Sequence, residues 1–345
     1  MGTRLTIEGK ERSMRVLITG VAGFAGSHLA ERMVAAGHTV YGTQLPGESL
    51  SNLTAVQSDV ELVLCDVTQR SDVLDAVEAA APDWIFHLAG QASVGDSFHN
   101  PGLTIDVNVK GTVNVLEAAR AQSEGRRPRT VIVTSAEVYG FLTEEALPVK
   151  ETTPFAPVHT YAVSKIAAHY LGQAYHHTYG VPVIEARPFN HIGPRQRRGF
   201  VVPDFASQIA AVIVGRQRPV IRVGNLSPRR DFTDVRDVVR AYESLALKGE
   251  PGNVYHICSG RAYAIGEILN GLLAHCDRPV RVETDPRLDR PAKMPVLLGS
   301  AERLHEQTGW EPRIPLEQTL ADTLAYWRQM VLTMDAGRSD SEPGP

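Results

Sequence analysis

Apolar residues in this chain follow two rhythms. Short, largely apolar runs at Arg15–Thr19, His38–Thr43, Val60–Cys65, Asp83–Gln91, Thr130–Val133 and Val181–Ala186 predict buried strands. Between them, stretches in which apolar residues return every third or fourth position predict helices ending near Ala36 and spanning Ser71–Ala81, Thr104–Arg120 and Thr160–Tyr179. Strand and helix alternate with short connections, so the expected fold is α/β, built on a doubly wound parallel sheet. The Thr160–Tyr179 helix carries an apolar stripe of Val163, Ile166, Ala167, Tyr170 and Ala174. This stripe fits either its own sheet or, together with the Thr104–Arg120 helix, the interface of a homodimer or dimer of dimers.

Further along, Asp231–Arg240 predicts a helix, Asn253–Cys258 a strand and Ile265–His275 a helix, and a Pro-rich basic segment, Asp285–Pro295, precedes the last helices. Two domains are expected: 14–188 plus about 231–258, and about 189–230 plus 259–334. Residues 1–13 and 335–345 lack periodicity and are expected to be tails.

The first strand runs into Gly20-Val-Ala-Gly23-Phe24-Ala25-Gly26 and then a helix. Glycines at that spacing allow a tight turn, a close approach of backbone to a diphosphate, and packing of the helix on its strand. Glycine used for turn geometry alone is the alternative, but the strand before and the helix after favour a dinucleotide. The second strand ends in Gln44, where an acidic residue would suit the ribose hydroxyls of NAD and a nearby arginine the 2′-phosphate of NADP. With neither present and no cation close in sequence, NAD(H) is favoured over NADP(H). Asp66 could accept from an adenine amino group or simply close a turn. Small residues Ala89 and Gly90 follow the fourth strand, in which His87 reads as a satisfied core histidine.

The fifth strand ends in Thr134-Ser135-Ala136-Glu137-Val138-Tyr139-Gly140, and a later helix opens with Tyr161-Ala-Val-Ser-Lys165. A hydroxyl, a carboxylate, a phenol and an ammonium one turn from it are the parts needed to move a proton at a carbonyl or carbinol carbon. From Arg187 to Arg230 there are nine arginines against one acidic residue, Asp204. Guanidinium forks suit phosphate oxygens, so a diphosphate-bearing ligand is favoured over surface solvation or an RNA-binding stripe.

Composition narrows the classes. The chain has 345 residues, 43% apolar and 21% charged, enough for a substantial core. A net charge of −4 argues against a general nucleic-acid or membrane-surface binder, and no apolar run approaches the roughly 18–20 residues of a membrane span. The N-terminus lacks the apolar core of a secretory signal. Three distant cysteines, Cys65, Cys258 and Cys276, suggest neither a disulfide framework nor a metal site, so a cytoplasmic protein with no metal is expected.

Taken together, Thr19–Gly26, His87-Leu88-Ala89-Gly90-Gln91, Asn108, Ser135 with Glu137-Val-Tyr-Gly, and Tyr161-x-x-x-Lys165 resemble the extended short-chain dehydrogenase/reductase family. The resemblance covers residues from Met14 to about Met330 and implies a Rossmann-like domain with a smaller α/β substrate domain. Ala186-Arg-Pro-Phe-Asn-His-Ile-Gly-Pro194, Phe200–Phe205, Val223–Phe232 and Arg290-Pro-Ala-Lys look like the branch acting on GDP-linked deoxyhexoses. That branch comprises GDP-mannose 4,6-dehydratases and GDP-4-keto-6-deoxymannose reductases. The Asn-His-Ile-Gly-Pro wording resembles the reductases, so C4 reduction giving GDP-D-rhamnose is expected first. A 4,6-dehydratase comes second, a C4 epimerase third, and a non-catalytic dinucleotide sensor last.

The same resemblance implies catalytic roles for Ser135, Glu137, Tyr161 and Lys165. It implies cofactor contacts from Gly20, Gly23, Phe24, Ala25, Gly26, Gln44, Asp66, Val67, Leu88, Ala89, Gly90, Tyr161 and Lys165. The nucleotide sugar is expected on Gln91, Ser135, Asn190, Val201, Arg222, Arg230 and Arg290.

Overall fold

A computed structural model describes residues 13–288 and 294–339. Its strands are β1 (Arg15–Thr19), β2 (Thr39–Gln44), β3 (Val60–Leu64), β4 (Trp84–His87), β5 (Arg129–Val133), β6 (Val183–Pro188), β7 (Asn190–Ile192), β8 (Val220–Val223), β9 (Arg229–Asp234), β10 (Val254–Ile257), β11 (Ala262–Ala264), β12 (Arg281–Thr284) and β13 (Val296–Leu297). The α-helices are α1 (Phe24–Ala35), α2 (Arg70–Ala80), α3 (Val94–His99), α4 (Pro101–Ile105), α5 (Gly111–Ala121), α6 (Thr160–Tyr179), α7 (Val201–Ile213), α8 (Val235–Lys248), α9 (Ile265–Leu273), α10 (Glu302–Thr308) and α11 (Leu316–Ser339). α11 runs past Asp335, where a tail was expected to begin.

Seven strands form one sheet in the order β10-β6-β5-β4-β1-β2-β3, and the order reverses beside β1, as in a doubly wound fold. The registers from β3 through β6 are parallel. Leu17, Ile85 and Ile132 pack with Val73, Val77, Val115 and Leu116 of α2 and α5 in one core. Burial on both faces explains why these strands read as apolar runs.

The chain divides into two compact units. Among the described residues, the first comprises 13–134, 159–186 and 239–254, and the second 135–158, 187–238, 255–288 and 294–339. This differs from the sequence expectation in two places. Segment 135–158 groups with the second unit, because Val149 bridges Gly299 and Glu151 accepts from the His256 amide. Only 239–254, not all of 231–258, groups with the first. The second unit has its own core, in which Val202, Phe205 and Ile209 of α7 meet Ile268 and Leu272 of α9 and Leu320 and Leu324 of α11.

Two predicted elements change. Asp231–Asp234 belongs to strand β9, and the helix starts only at Val235. The Asp231 carboxylate accepts from the Ser259 and Gly260 amides, which ties this stretch into a sheet instead of capping a helix. The single helix expected over Thr104–Arg120 is broken by a π-helical turn at Asp106–Lys110 between α4 and α5. Among the described residues, no helix is long and apolar enough to cross a membrane, and no group of His, Cys, Asp and Glu could hold a metal.

Candidate active site

In the first unit, the chain leaves β1 through Gly20, whose φ of 69° lies in the left-handed region. A Cβ there would sit 2.9 Å from the Ala89 Cα, so the turn and the end of β4 touch backbone to backbone. A Cβ on Gly26 would sit 2.2 Å from the Gly20 carbonyl oxygen. No side chain caps α1 at Gly23, and the positive end of the helix dipole there favours an anion. Phe24 and Ala25 open the helix. This cradle, which side chains would fill, fits a dinucleotide diphosphate.

At the end of β2, the Gln44 Oε1 is buried without a hydrogen-bond partner, an acceptor suited to a ribose hydroxyl. Asp66 closes its own turn by accepting from the Thr68 amide through Oδ1. Val67 is buried, and its carbonyl is held by Asn114. His87 is the core histidine the sequence suggested: its ring nitrogens meet Thr19 and Thr112, and burial, with Lys165 adding to it, pushes its pKa down to about 3. Thr19 in turn accepts from the Ala89 amide, fixing the Leu88–Gly90 strand end.

The π-helical turn has a local purpose. It presents Asn108, whose Oδ1 accepts from the Gln91 amide while its Nδ2 donates to the Gln91 carbonyl and to Ser164 Oγ. Ser164 donates to the Tyr161 carbonyl, and the Gln91 Oε1 is a further buried acceptor without a partner. A π turn inserts one residue into the helical repeat, so Asn108 can face the strand end while α5 keeps its apolar face on the sheet.

Helix α6 begins where His159 accepts from the Ala162 amide and ends at Gly180, in left-handed conformation. Its first turns hold Tyr161, buried and stacked on the His159 ring, and Lys165, whose Nζ lies 5.8 Å from the Tyr161 ring centroid. Lys165 donates to the Val133 carbonyl at 3.0 Å. Burial pushes the ammonium pKa down to about 8, against the opposing pull of Glu185. The ammonium is therefore charged below about pH 8 and lost above it.

In the second unit, Ser135 caps a short turn, its Oγ accepting from the Glu137 amide at 3.2 Å. Glu137 is half-buried, and its charge acts on Arg230, whose own pKa burial pushes down. Arg230 donates to the Arg229 and Met294 carbonyls. Asn190 is half-buried on β7, Val201 half-buried at the start of α7, and Arg222 exposed on β8. Arg290 lies outside the described residues.

The arginine-rich stretch does not act as one phosphate patch. Arg187 is fully buried, donates to the Tyr139 hydroxyl and stacks on Tyr139 and Phe155, so it belongs to the core. Arg216 and Arg229 donate to the Val331 and Ala262 carbonyls. The missed partner in the first unit is Glu185, whose signal in the sequence was an acid inside an otherwise apolar strand.

A nucleotide cradle at the end of β1, with a Tyr-x-x-x-Lys pair on a helix of the same unit, defines an extended short-chain dehydrogenase/reductase. Within that class the chain belongs to the GDP-mannose 4,6 dehydratase family, which it matches over residues 17–323. It is 37% identical to the GDP-6-deoxy-D-mannose reductase of Pseudomonas aeruginosa, over 92% of this chain and 99% of that protein. It is 29% identical to the GDP-mannose 4,6-dehydratase of Yersinia enterocolitica, over 90% of this chain and 93% of that one. The solved structure of RMD from Pseudomonas aeruginosa complexed with NADPH superimposes with a TM-score of 0.79 at 34% identity, covering 92% of this chain and all of that one.

Proposed function

We propose that the protein reduces the C4 ketone of a GDP-linked 4-keto-6-deoxyhexose with NAD(P)H, forming GDP-D-rhamnose. The observation that carries this is the near full-length similarity to the Pseudomonas aeruginosa reductase, joined to a complete Tyr161/Lys165 pair beside a nucleotide cradle. Gly20, Gly23, Phe24, Ala25 and Gly26 would hold the cofactor diphosphate, Gln44 its adenosine ribose, Asp66 and Val67 the adenine. Leu88, Ala89 and Gly90 would flank it, and Lys165 and Tyr161 would hold the nicotinamide ribose. When bound, the reduced nicotinamide supplies the hydride.

The protein's own part is proton chemistry. A free phenol, with a pKa of about 10, holds its proton too tightly to exchange it readily at neutral pH. The buried Lys165 ammonium favours the phenolate, so Tyr161 can give its proton to the sugar oxygen and regain one. Ser135 would donate a hydrogen bond to the developing oxyanion. Gln91, Asn190, Val201, Arg222, Arg230 and Arg290 would bind the nucleotide sugar, with the arginines on its diphosphate. Because Lys165 loses its charge near pH 8, kcat/KM should fall as pH rises through that value; a profile flat to pH 9 would contradict this role.

A reductase consumes one equivalent of reduced cofactor per ketosugar. Equimolar loss of NAD(P)H with a product two mass units heavier than the ketone supports the proposal. Conversion of GDP-mannose with only catalytic NAD(P)+ would favour the second reading, a 4,6-dehydratase, for which the half-buried Glu137 is a ready base.

Three finer points go with this. The cofactor is NAD(H) by preference, because Gln44 offers an uncharged acceptor where a 2′-phosphate would need a cation; a kcat/KM higher with NADPH than with NADH would overturn that. The compartment is the cytoplasm, which suits three free cysteines. The assembly is a homodimer or a pair of dimers through α4–α6. Of the stripe read in the sequence, Val163 and Tyr170 are 47% and 60% exposed while Ile166 and Ala167 are half-buried, and Leu103 and Ile105 of neighbouring α4 are exposed as well. Such a face is costly to leave in water. Substitution of both Val163 and Tyr170 by Asp should give a monomer by sedimentation, and an unchanged mass would contradict the interface.

A further inference from the structure

An acid inside a buried parallel strand calls for an explanation, because an uncompensated charge there is strongly destabilising. Glu185 is 2% exposed, and its strand pairs it with Ile132 of β5. One carboxylate oxygen accepts from Thr134 Oγ1 at 2.5 Å, and the other lies 2.5 Å from His169 Nδ1. His169 follows Lys165 by one turn of α6, and Lys165 ends on the carbonyl of Val133, the residue between Ile132 and Thr134. The acid, its two holders and the ammonium thus converge on the last residues of β5, within the first unit.

We propose that Glu185 is a positioning residue: its carboxylate, held by Thr134 and His169, keeps the Lys165 ammonium charged and thereby sets how tightly Tyr161 binds its proton. Lys165 is faced by Tyr161 on its own helix, by Glu185 on β6 and by His87 on β4, with Asn108 of the π turn beside the same Gly90, while His169 meets the Glu185 carboxylate. Tyr161 is faced in addition by His159 and by Tyr242 of α8. His87 is kept neutral and Tyr242 is held protonated, both chiefly by burial. The charge of Glu185, which also meets His169, opposes the desolvation of Lys165. The proposal rests on the reading of Tyr161 and Lys165 as the proton-transfer pair, but not on which sugar is reduced.

Ultraviolet difference titration of the full-length protein against Y161F reads Tyr161 directly, without substrate. E185Q should move the Tyr161 titration upward by roughly one pH unit, and E185D, which keeps the charge, should restore most of it. T134V should move it in the same direction with less risk to folding, since a buried carboxylate short of one hydrogen bond takes up a proton. An unchanged titration in T134V and E185Q, or equal shifts in E185Q and E185D, would overturn the proposal. K165M serves as the control: if it shifts the titration and the Glu185 and Thr134 variants do not, only the role of Glu185 fails. If K165M has no effect either, the proton-transfer pair itself fails, and the role of Glu185 with it.

Discussion

Replacing Tyr161 by Phe is expected to lower turnover by about a thousandfold, while dinucleotide binding and the unfolding temperature stay near wild type. The ring contributes a face to His159 and lies near Lys165, and both contacts survive loss of the hydroxyl. The substitution removes the hydroxyl that carries the exchangeable proton. Steady-state rates with a saturating ketosugar, beside cofactor titration by fluorescence, separate the two effects. A variant that keeps more than about a tenth of the wild-type rate would show that another acid protonates the sugar oxygen.

The second large effect is expected at Gly26. An alanine Cβ there would lie 2.2 Å from the Gly20 carbonyl oxygen and 3.0 Å from both the Gly20 carbonyl carbon and the Val21 Cα. All three are backbone atoms at the turn itself, so relief requires moving α1 away from β1. G26A should weaken dinucleotide affinity by about a hundredfold or more, or prevent folding of the first unit. Gly37 makes an instructive contrast, because an added Cβ there would meet no atom within 4 Å although φ is 79°. G37A should cost only the strain of a left-handed alanine, about 1 kcal/mol, and leave cofactor affinity unchanged. Wild-type affinity in G26A would mean that the loop is a turn and not a cradle.

Much of this was legible in the chain because several signals are local. Strand–glycine–helix and Tyr-x-x-x-Lys place backbone and side chains within a turn or two of each other, so spacing alone carries their geometry. The parallel sheet followed from apolar runs that are buried on both faces. The π turn was hidden because one inserted residue barely disturbs the apolar period of Thr104–Arg120. The exposure of Val163 and Tyr170 on α6 was open for a different reason. The face that packs inward carries Ala162, Ser164, Ala168 and Gly172, small residues that allow close approach but give little hydrophobic signal. Arg187 and Asp231 misled in the same way: a charge in the sequence does not reveal whether its partners, Tyr139 in one case and the Ser259 and Gly260 amides in the other, lie far along the chain. Gln44, Glu137 and the arginines of β8 and β9 name chemistry without fixing the substrate, because spacing gives a residue's type and not the group it meets.

In a reductase, hydride reaches the sugar from outside and stays there. Reduced cofactor carrying deuterium at the transferred position, incubated with the protein and GDP-4-keto-6-deoxymannose, follows that hydride. Reduction places one deuterium at C4 of the isolated product for each cofactor oxidised. A ketosugar left unreduced with the labelled cofactor unconsumed, by protein that converts GDP-mannose to that ketosugar with only catalytic NAD(P)+, would show that hydride is borrowed and returned, and would contradict the reductase assignment.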